Sequence, residues 1–365
     1  MIKEGKFGVQ EAVWLVVFAI STKVFYTSPA RVVDLVGNTG WYMTLISMSV
    51  AILGFTFIYL LLKRFPGQDI ASIFADTLGG PLGFVFSAIL ALYLLLLATN
   101  TISEFAEVIK VYVFPLTPSS LIIGIFVVGV LIMCILGLET QARFAKLSAY
   151  TILFGFILIL ALGIENYDVN RLFPILGYGA DKVLRHGLIR SSAYGEIIIL
   201  AVIAPSLQGT AFVKKAGYTG LILSGFFISI SALAFALSFP YYTAQEITAP
   251  MYEMAELINY GRFIQRVEPI FLFIWFFSSF TSISILFYCF ISTYCRIFKI
   301  RDIRPIALGA AIILFTSSLF QIDLGVGAAQ RIQNIRQYGW IPPFILPFIA
   351  LVVGVLRKRG VKSHE

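Results

Sequence analysis

Ten apolar runs, each long enough to cross a bilayer, set the limits on what this chain can fold into. They cover residues 7–33, 41–63, 83–113, 119–138, 146–164, 187–206, 216–239, 269–297, 304–321 and 339–356. A spanning helix needs about 20 mostly apolar residues. The hydrocarbon layer offers no water to the backbone, so each run must satisfy its own N–H and C=O groups as a helix. The expected fold is therefore an all-α membrane protein with about ten transmembrane helices. It forms a single transmembrane domain over 1–365, with residues 358–365 as a tail. Composition agrees: 59% of residues are hydrophobic, 13% are charged and 34 are Phe. A soluble domain carries about twice that charge.

The net charge of +8 does not indicate nucleic acid. The basic residues lie in short clusters between apolar runs, as membrane insertion requires. With the N-terminus inside, every inner connection is basic, and the inner side holds sixteen Lys and Arg against six Asp and Glu. Lys63, Arg64, Arg143, Lys146, Lys214, Lys215, Arg296 and Arg357 are among the sixteen. Both termini are then expected in the cytoplasm. The first run lacks a small-residue cleavage site, so no cleavable signal peptide is expected.

Several function classes find no support. Cys134, Cys289 and Cys295 sit in or at the edge of apolar runs without a CxxC pair, and the two histidines are His186 and His364. No cofactor, metal site, catalytic triad or phosphate loop is expected; Gly79, Gly80 and Pro81 read as a chain break before the third run. An enzyme is the least favoured class.

The runs divide into two halves of five, 1–165 and 186–357. The third run of each half is long, and the first of each carries polar residues, small residues and a proline. Five is odd, so the second half is inverted relative to the first. That is the repeat plan of secondary transporters, with midplane sites at broken helices. Two connections are more than linkers. The stretch 166–186, including "NRLFPILGYG", and the stretch 241–268, which contains the amphipathic "APMYEMAELINYGRF", are candidate caps over an outward vestibule. Solvated loops are the plainer alternative.

The polar residues inside the runs mark the candidate site. Ser21, Thr22 and Lys23 lie halfway along the first run, where a cation is expensive and usually faces a cavity or a partner. Thr27, Ser28 and Pro29 follow, and a proline there favours local unwinding. Freed N–H groups and Lys23 would suit a carboxylate; a snorkelling lysine is the bland alternative. In the sixth run Ser191, Ser192, Tyr194, Gly195 and Glu196 form the polar patch, and Glu196 is the natural partner for Lys23. A static ion pair and a proton-exchanging pair both fit that reading. The third run offers Asn100, Ser103 and Glu107 at helical spacing, with Glu104 beside them, and Glu107 and Lys110 read as an i,i+3 pair. The eighth offers Trp275, Ser278, Ser279 and Thr281, either lining a pocket or bonding back to helix carbonyls.

The chain resembles the B-subunit permeases of bacterial spore nutrient-germinant receptors, the GerAB type. The resemblance rests on "TSPARVVDLVGNTGW" at 27–41, "AEVIK" at 106–110, "NRLFPILGYG" at 170–179, "AYGE" at 193–196, "RVEPIFLFIW" at 266–275 and the closing "PPFILPFIALVVGVLRKR". It covers nearly the whole chain. It implies the amino acid–polyamine–organocation superfamily, a LeuT-like 5+5 inverted repeat and a place in the spore inner membrane or cell membrane. It also implies a role in triggering germination by binding a small amino-acid-type ligand, with A- and C-type receptor subunits as partners. Such permeases usually carry a Gly-x-Gly element at the first break; here Thr22-Lys23-Val24 stands in its place. The expected ligand site joins Ser21, Thr22, Lys23 and Val24 to Asn100, Ser103, Tyr194, Gly195, Glu196, Trp275 and Ser278. A proton-coupled amino acid transporter is the alternative, and a channel or scaffold component a further one.

Overall fold

The computed structural model describes residues 6–26, 28–261, 266–323 and 328–360. Thr27, residues 262–265 of the stretch 241–268 and the tail beyond residue 360, all named above, lie outside the described residues. The elements in chain order are α1 (Val9–Ser21), α2 (Ser28–Val36), α3 (Gly40–Arg64), α4 (Ile70–Leu78), α5 (Gly80–Tyr112), α6 (Ser119–Leu136), α7 (Leu138–Leu162) and α8 (Ala180–Ile189). They continue with α9 (Ile199–Val202), α10 (Thr210–Ser238), α11 (Tyr241–Ala244), α12 (Pro250–Glu256), α13 (Glu268–Ile297), α14 (Arg304–Asp323), α15 (Ala328–Tyr338) and α16 (Leu346–Leu356).

Among the described residues, eight helices are long and apolar enough to cross a membrane. The protein is an integral membrane protein. The expected runs at 7–33 and 187–206 are not continuous helices. The first is α1, a 3-10 turn over Thr22–Phe25, and then α2. The 13 residues of α1 rise only about 20 Å, short of the ~30 Å hydrocarbon layer. The second is α8, a 3-10 segment over Arg190–Ile198, and the single turn α9. Nine residues is long for 3-10 geometry, whose poorer hydrogen bonds usually limit it to three or four. Ser191, Ser192 and Gly195 are weak helix formers, so the α-helix has little hold there.

Two further departures concern helix ends. The fifth run does not start at Lys146; α7 begins at Leu138, because Gly137 at φ 92° turns the chain directly out of α6. The last span begins as α15, a polar helix, and passes Gly339 and a π-helical turn at Ile341–Ile345 before α16. Pro342 and Pro343 in that turn lack the N–H groups an α-helix would use.

The long α13 packs along α5 and α7, and α10 packs against α1 and α3. Small residues permit the close approach on α10. A Cβ at Gly217 would overlap the Phe55 ring, and one at Gly220 would stand 2.6 Å from Val16. One face of the bundle gathers basic side chains that tie helix ends together. Lys146 pairs with Glu11 at 2.8 Å and Arg296 with Asp69 at 2.5 Å. Arg64 donates to the Arg359 carbonyl at 2.5 Å, and Arg357 donates to the Thr77 carbonyl at 3.1 Å.

Side-chain hydrogen bonds tie the described residues of both stretches to the neighbouring helices. The connection after α7 is pinned by the Asn38 amide donating to the Phe173 carbonyl at 3.0 Å and the Tyr42 hydroxyl donating to the Ile175 carbonyl at 2.8 Å. α12 sits against the 3-10 turn of the first span and buries Met251, Met254 and Ala255. The Tyr112 hydroxyl at the end of α5 donates to Glu253 at 2.8 Å and holds α12 in place.

Candidate functional site

The two broken spans meet. Lys23, on the 3-10 turn after α1, places its ammonium 2.8 Å and 2.9 Å from the two oxygens of Glu196. It also donates to the carbonyl of Ala193, within the 3-10 segment. Lys23 is 8% exposed and Glu196 4%. At that burial an ion pair persists only with good geometry and further hydrogen bonds.

A second cation reaches the same carboxylate. Arg336, on α15, stands 3.8 Å from Glu196 Oε1 and donates to the Ser192 carbonyl at 3.3 Å. The Ser192 hydroxyl donates in return to the Arg336 carbonyl at 2.7 Å, so α15 is latched to the 3-10 segment in both directions. A second acid comes from α5. Glu104, buried, accepts from the Asn100 amide at 3.2 Å, while Asn100 Oδ1 is buried without a partner. Two cations and two carboxylates therefore surround one cavity, lined by Thr22, Lys23, Asn100, Glu104, Glu196 and Arg336 together with Tyr26 and Ser282. Its volume is about 20 Å³, room for about one water. A second cavity of about 20 Å³ also touches Lys23 and is lined in part by Val24, Ser28, Arg190 and Tyr194. The lysine borders both, and the site is closed.

Of the residues selected from the sequence, Thr22, Lys23, Asn100 and Glu196 share the first cavity, and Val24 and Tyr194 line the second. The others stand behind. The Ser21 hydroxyl donates back to the Val17 carbonyl at 2.6 Å. Ser103 bonds to the Thr99 and Ser318 carbonyls at 2.8 and 3.0 Å, joining α5 to α14. Ser278 meets the Thr22 hydroxyl at 2.7 Å and fixes the first break against α13. The fully buried Trp275 packs edge-on to Tyr26, ring centroids 5.5 Å apart, and Tyr26 donates to Ser279 at 2.7 Å. The Tyr194 hydroxyl donates to the Thr44 carbonyl at 3.1 Å. Gly195 makes room for a neighbour, since a Cβ there would collide with the Tyr93 hydroxyl.

Arg336 and Tyr26 are cavity residues that sequence reasoning missed. Arg336 lies in "AAQRIQNIRQYG", which reads as a polar connection between the last two apolar runs. The sequence signal for a helix there is weak: Ile332 and Ile335 stand three apart among polar residues.

A family model described as spore germination protein, of the permease type, matches residues 9–323. The chain belongs to the spore germination permease family. Curated members of this family align along most of their length. Spore germination protein KB of Bacillus subtilis (strain 168) is 21% identical over 358 residues, covering 95% of this chain and 94% of that protein. Spore germination protein YndE of the same organism is 24% identical over 88% of this chain and 89% of its own length. Among solved structures, the nucleobase-cation-symport-1 family transporter MHP1, closed with bromovinylhydantoin bound, superposes with a TM-score of 0.69 at 13% identity, covering 100% of this chain and 81% of that one. MhsT in complex with L-phenylalanine gives 0.62 at 12% identity, over 97% and 89%. This chain thus has the LeuT-like transporter fold, and its interrupted first and sixth spans are where that plan places its breaks.

Proposed function

We propose that this spore germination permease is the B-type subunit of a nutrient-germinant receptor, and that it binds a small zwitterionic ligand of the amino-acid type between its first, third and sixth spans. One observation carries the reading: a closed cavity at the meeting of two helix breaks, ringed by two buried cations and two buried carboxylates. Buried charges in a membrane span are costly and mark functional sites. A zwitterion brings one charge of each sign and can exchange partners with such a ring without leaving a bare charge. Lys23 and Thr22 would take the ligand's carboxylate, and Glu196 and Glu104 its ammonium. Arg336 would hold Glu196 until the ligand arrives, and the Asn100 amide would keep Glu104 aimed at it. Val24 and Tyr194 would shape the neighbouring compartment. Trp275, Ser278, Ser21 and Ser103 would hold the walls, and Gly195 would let the third span close on the sixth. MhsT, of the same fold, is solved with L-phenylalanine.

The proposed subunit has two five-span repeats at 1–165 and 186–357, its basic face and both termini in the cytoplasm, and A- and C-type subunits as partners. Its test is binding of a panel of labelled L-amino acids to the purified protein, its Lys23→Ala variant and its Glu196→Gln variant. The expected result is a ligand that the wild type binds and both variants lose. Unchanged affinity in both would remove this site.

A proton-coupled amino acid transporter is the second reading, favoured by the direct Lys23–Glu196 contact, through which a proton could pass. Uptake of labelled amino acid into proteoliposomes, with and without a pH gradient, separates turnover from sensing. Gradient-driven accumulation would support transport.

A further inference from the structure

The second cavity beside Lys23 carries a charge that no described residue answers. Arg190 lines it and is 4% exposed, and its guanidinium has no hydrogen-bond or ion-pair partner among the described residues. An arginine keeps its charge, and a buried cation without a counter-charge is expensive. The 3-10 geometry sets the direction in which it faces. Side chains three apart eclipse in such a segment, so Arg190, Ala193 and Glu196 share one face of Arg190–Ile198. On that face Glu196 pairs with Lys23, and the Ala193 carbonyl accepts from Lys23. Arg190 therefore faces the same break in the first span, one turn further along, where Ser28 and Pro29 open α2 and line the cavity with it. Glu196, six residues or about 12 Å along the segment, is held by Lys23 and Arg336 instead. Asp34 on α2 is half-exposed and stands 3.8 Å from Arg31.

The rest of the wall supplies no acid among the described residues. The hydroxyls of Thr44, Ser47 and Tyr194 are spent on the carbonyls of Trp41, Gly187 and Thr44. The opening turn of α2 has N–H groups without an intrahelical acceptor, and a helix N-terminus favours an anion. At about 20 Å³ the cavity holds one particle about the size of a water. A water would leave the charge of Arg190 standing, and a carboxylate with its carbon skeleton would not fit. We infer that this cavity is a binding site for one small inorganic anion of the halide class, such as chloride, held between Arg190 and the N-terminus of α2. Lys23 borders both cavities, so the ion sits against a residue of the charged ring. The inference stands apart from the zwitterion reading, because the anion needs no amino acid to bind.

The test is chloride binding to the full chain in phosphatidylcholine nanodiscs, with no amino acid present. It is read as the broadening of the chlorine NMR resonance of chloride, at constant ionic strength with gluconate as the replacement anion. The wild type is expected to broaden the resonance beyond empty nanodiscs, and bromide, not gluconate, is expected to relieve the broadening by competition. Arg190→Gln is expected to weaken binding about tenfold or more, the worth of one charge-assisted hydrogen bond. Thermal unfolding of the wild type should shift upward as chloride replaces gluconate, since the anion binds only the folded state. Ala232→Asp places a carboxylate on the wall of the same cavity. It should abolish the broadening and make the unfolding temperature independent of chloride, which keeps the test decisive if Arg190→Gln does not fold. No broadening beyond empty nanodiscs, or broadening that Ala232→Asp leaves unchanged, would overturn the assignment. An acidic amino acid that binds through Arg190 while halide does not would overturn it equally, by giving the cation to the ligand.

Discussion

Removing Glu196 should damage this protein more than removing Lys23, and the two changes should not add. Glu196 faces two cations, with Lys23 Nζ at 2.8 Å and Arg336 Nη1 at 3.8 Å. At an effective dielectric of about 20 the gross attractions are about 6 and about 4 kcal/mol. Desolvation offsets most of this, and deletion of one partner of a buried pair typically costs about 3–5 kcal/mol. Glu196→Gln leaves two cations without their shared acid, so about 5 kcal/mol is expected. Lys23→Met leaves Glu196 still facing Arg336, so about 3 kcal/mol is expected. In the double variant the second change no longer strands a charge by breaking that contact. Its total should fall about 2 kcal/mol short of the sum. The assay is unfolding of the four proteins in mixed micelles by titrated SDS, followed by intrinsic tryptophan fluorescence. Additivity within about 0.5 kcal/mol, the range of independent sites, would refute the direct coupling.

Three further predictions are independent of that pair. Gly195→Ala should destabilise by about 1–3 kcal/mol, since its Cβ would collide with the Tyr93 hydroxyl; adding Tyr93→Phe should recover part of the loss in the same titration. Asp69 caps α4 through the Ser72 N–H at 3.0 Å and pairs with Arg296, so Asp69→Asn should keep the cap and lose the charge, while Asp69→Ala should lose about 1 kcal/mol more. The three native cysteines are buried, so single introduced cysteines report sidedness against a quiet background. Lys215→Cys should react with an impermeant maleimide only after cells are opened, and Tyr242→Cys should react in intact cells; the reverse would invert the topology.

The spans were legible because hydrophobicity at a length of about 20 residues is a strong and local signal. The expected 41–63 and the observed Gly40–Arg64 differ by one residue at each end. Lys23 and Glu196 were legible for the converse reason, since charges inside apolar runs stand out. The depth of the breaks was harder to read. Serines and one glycine signalled a weak helix at 191–195, but not nine residues of 3-10 geometry, which depend on Lys23 and Arg336 engaging the carbonyls of Ala193 and Ser192. Arg336 was illegible as a site residue because nothing local distinguishes a polar connection from a polar helix folded back over a cavity. Trp275 was marked as a pocket residue by its type and setting, yet its ring is enclosed by Tyr26, Phe105 and Phe271, a contact set that only tertiary packing decides.

Whether the ligand's charges are read at the meeting of the two broken spans is tested most directly by an electron-microscopy map. The protein would be held in nanodiscs and saturated with whichever amino acid of the panel binds. Ligand density is expected between residues 22–24 and 193–196, with the carboxylate within hydrogen-bond reach of Lys23 and the Lys23–Glu196 contact lengthened. Ligand density elsewhere, with that contact intact, would contradict the proposed site.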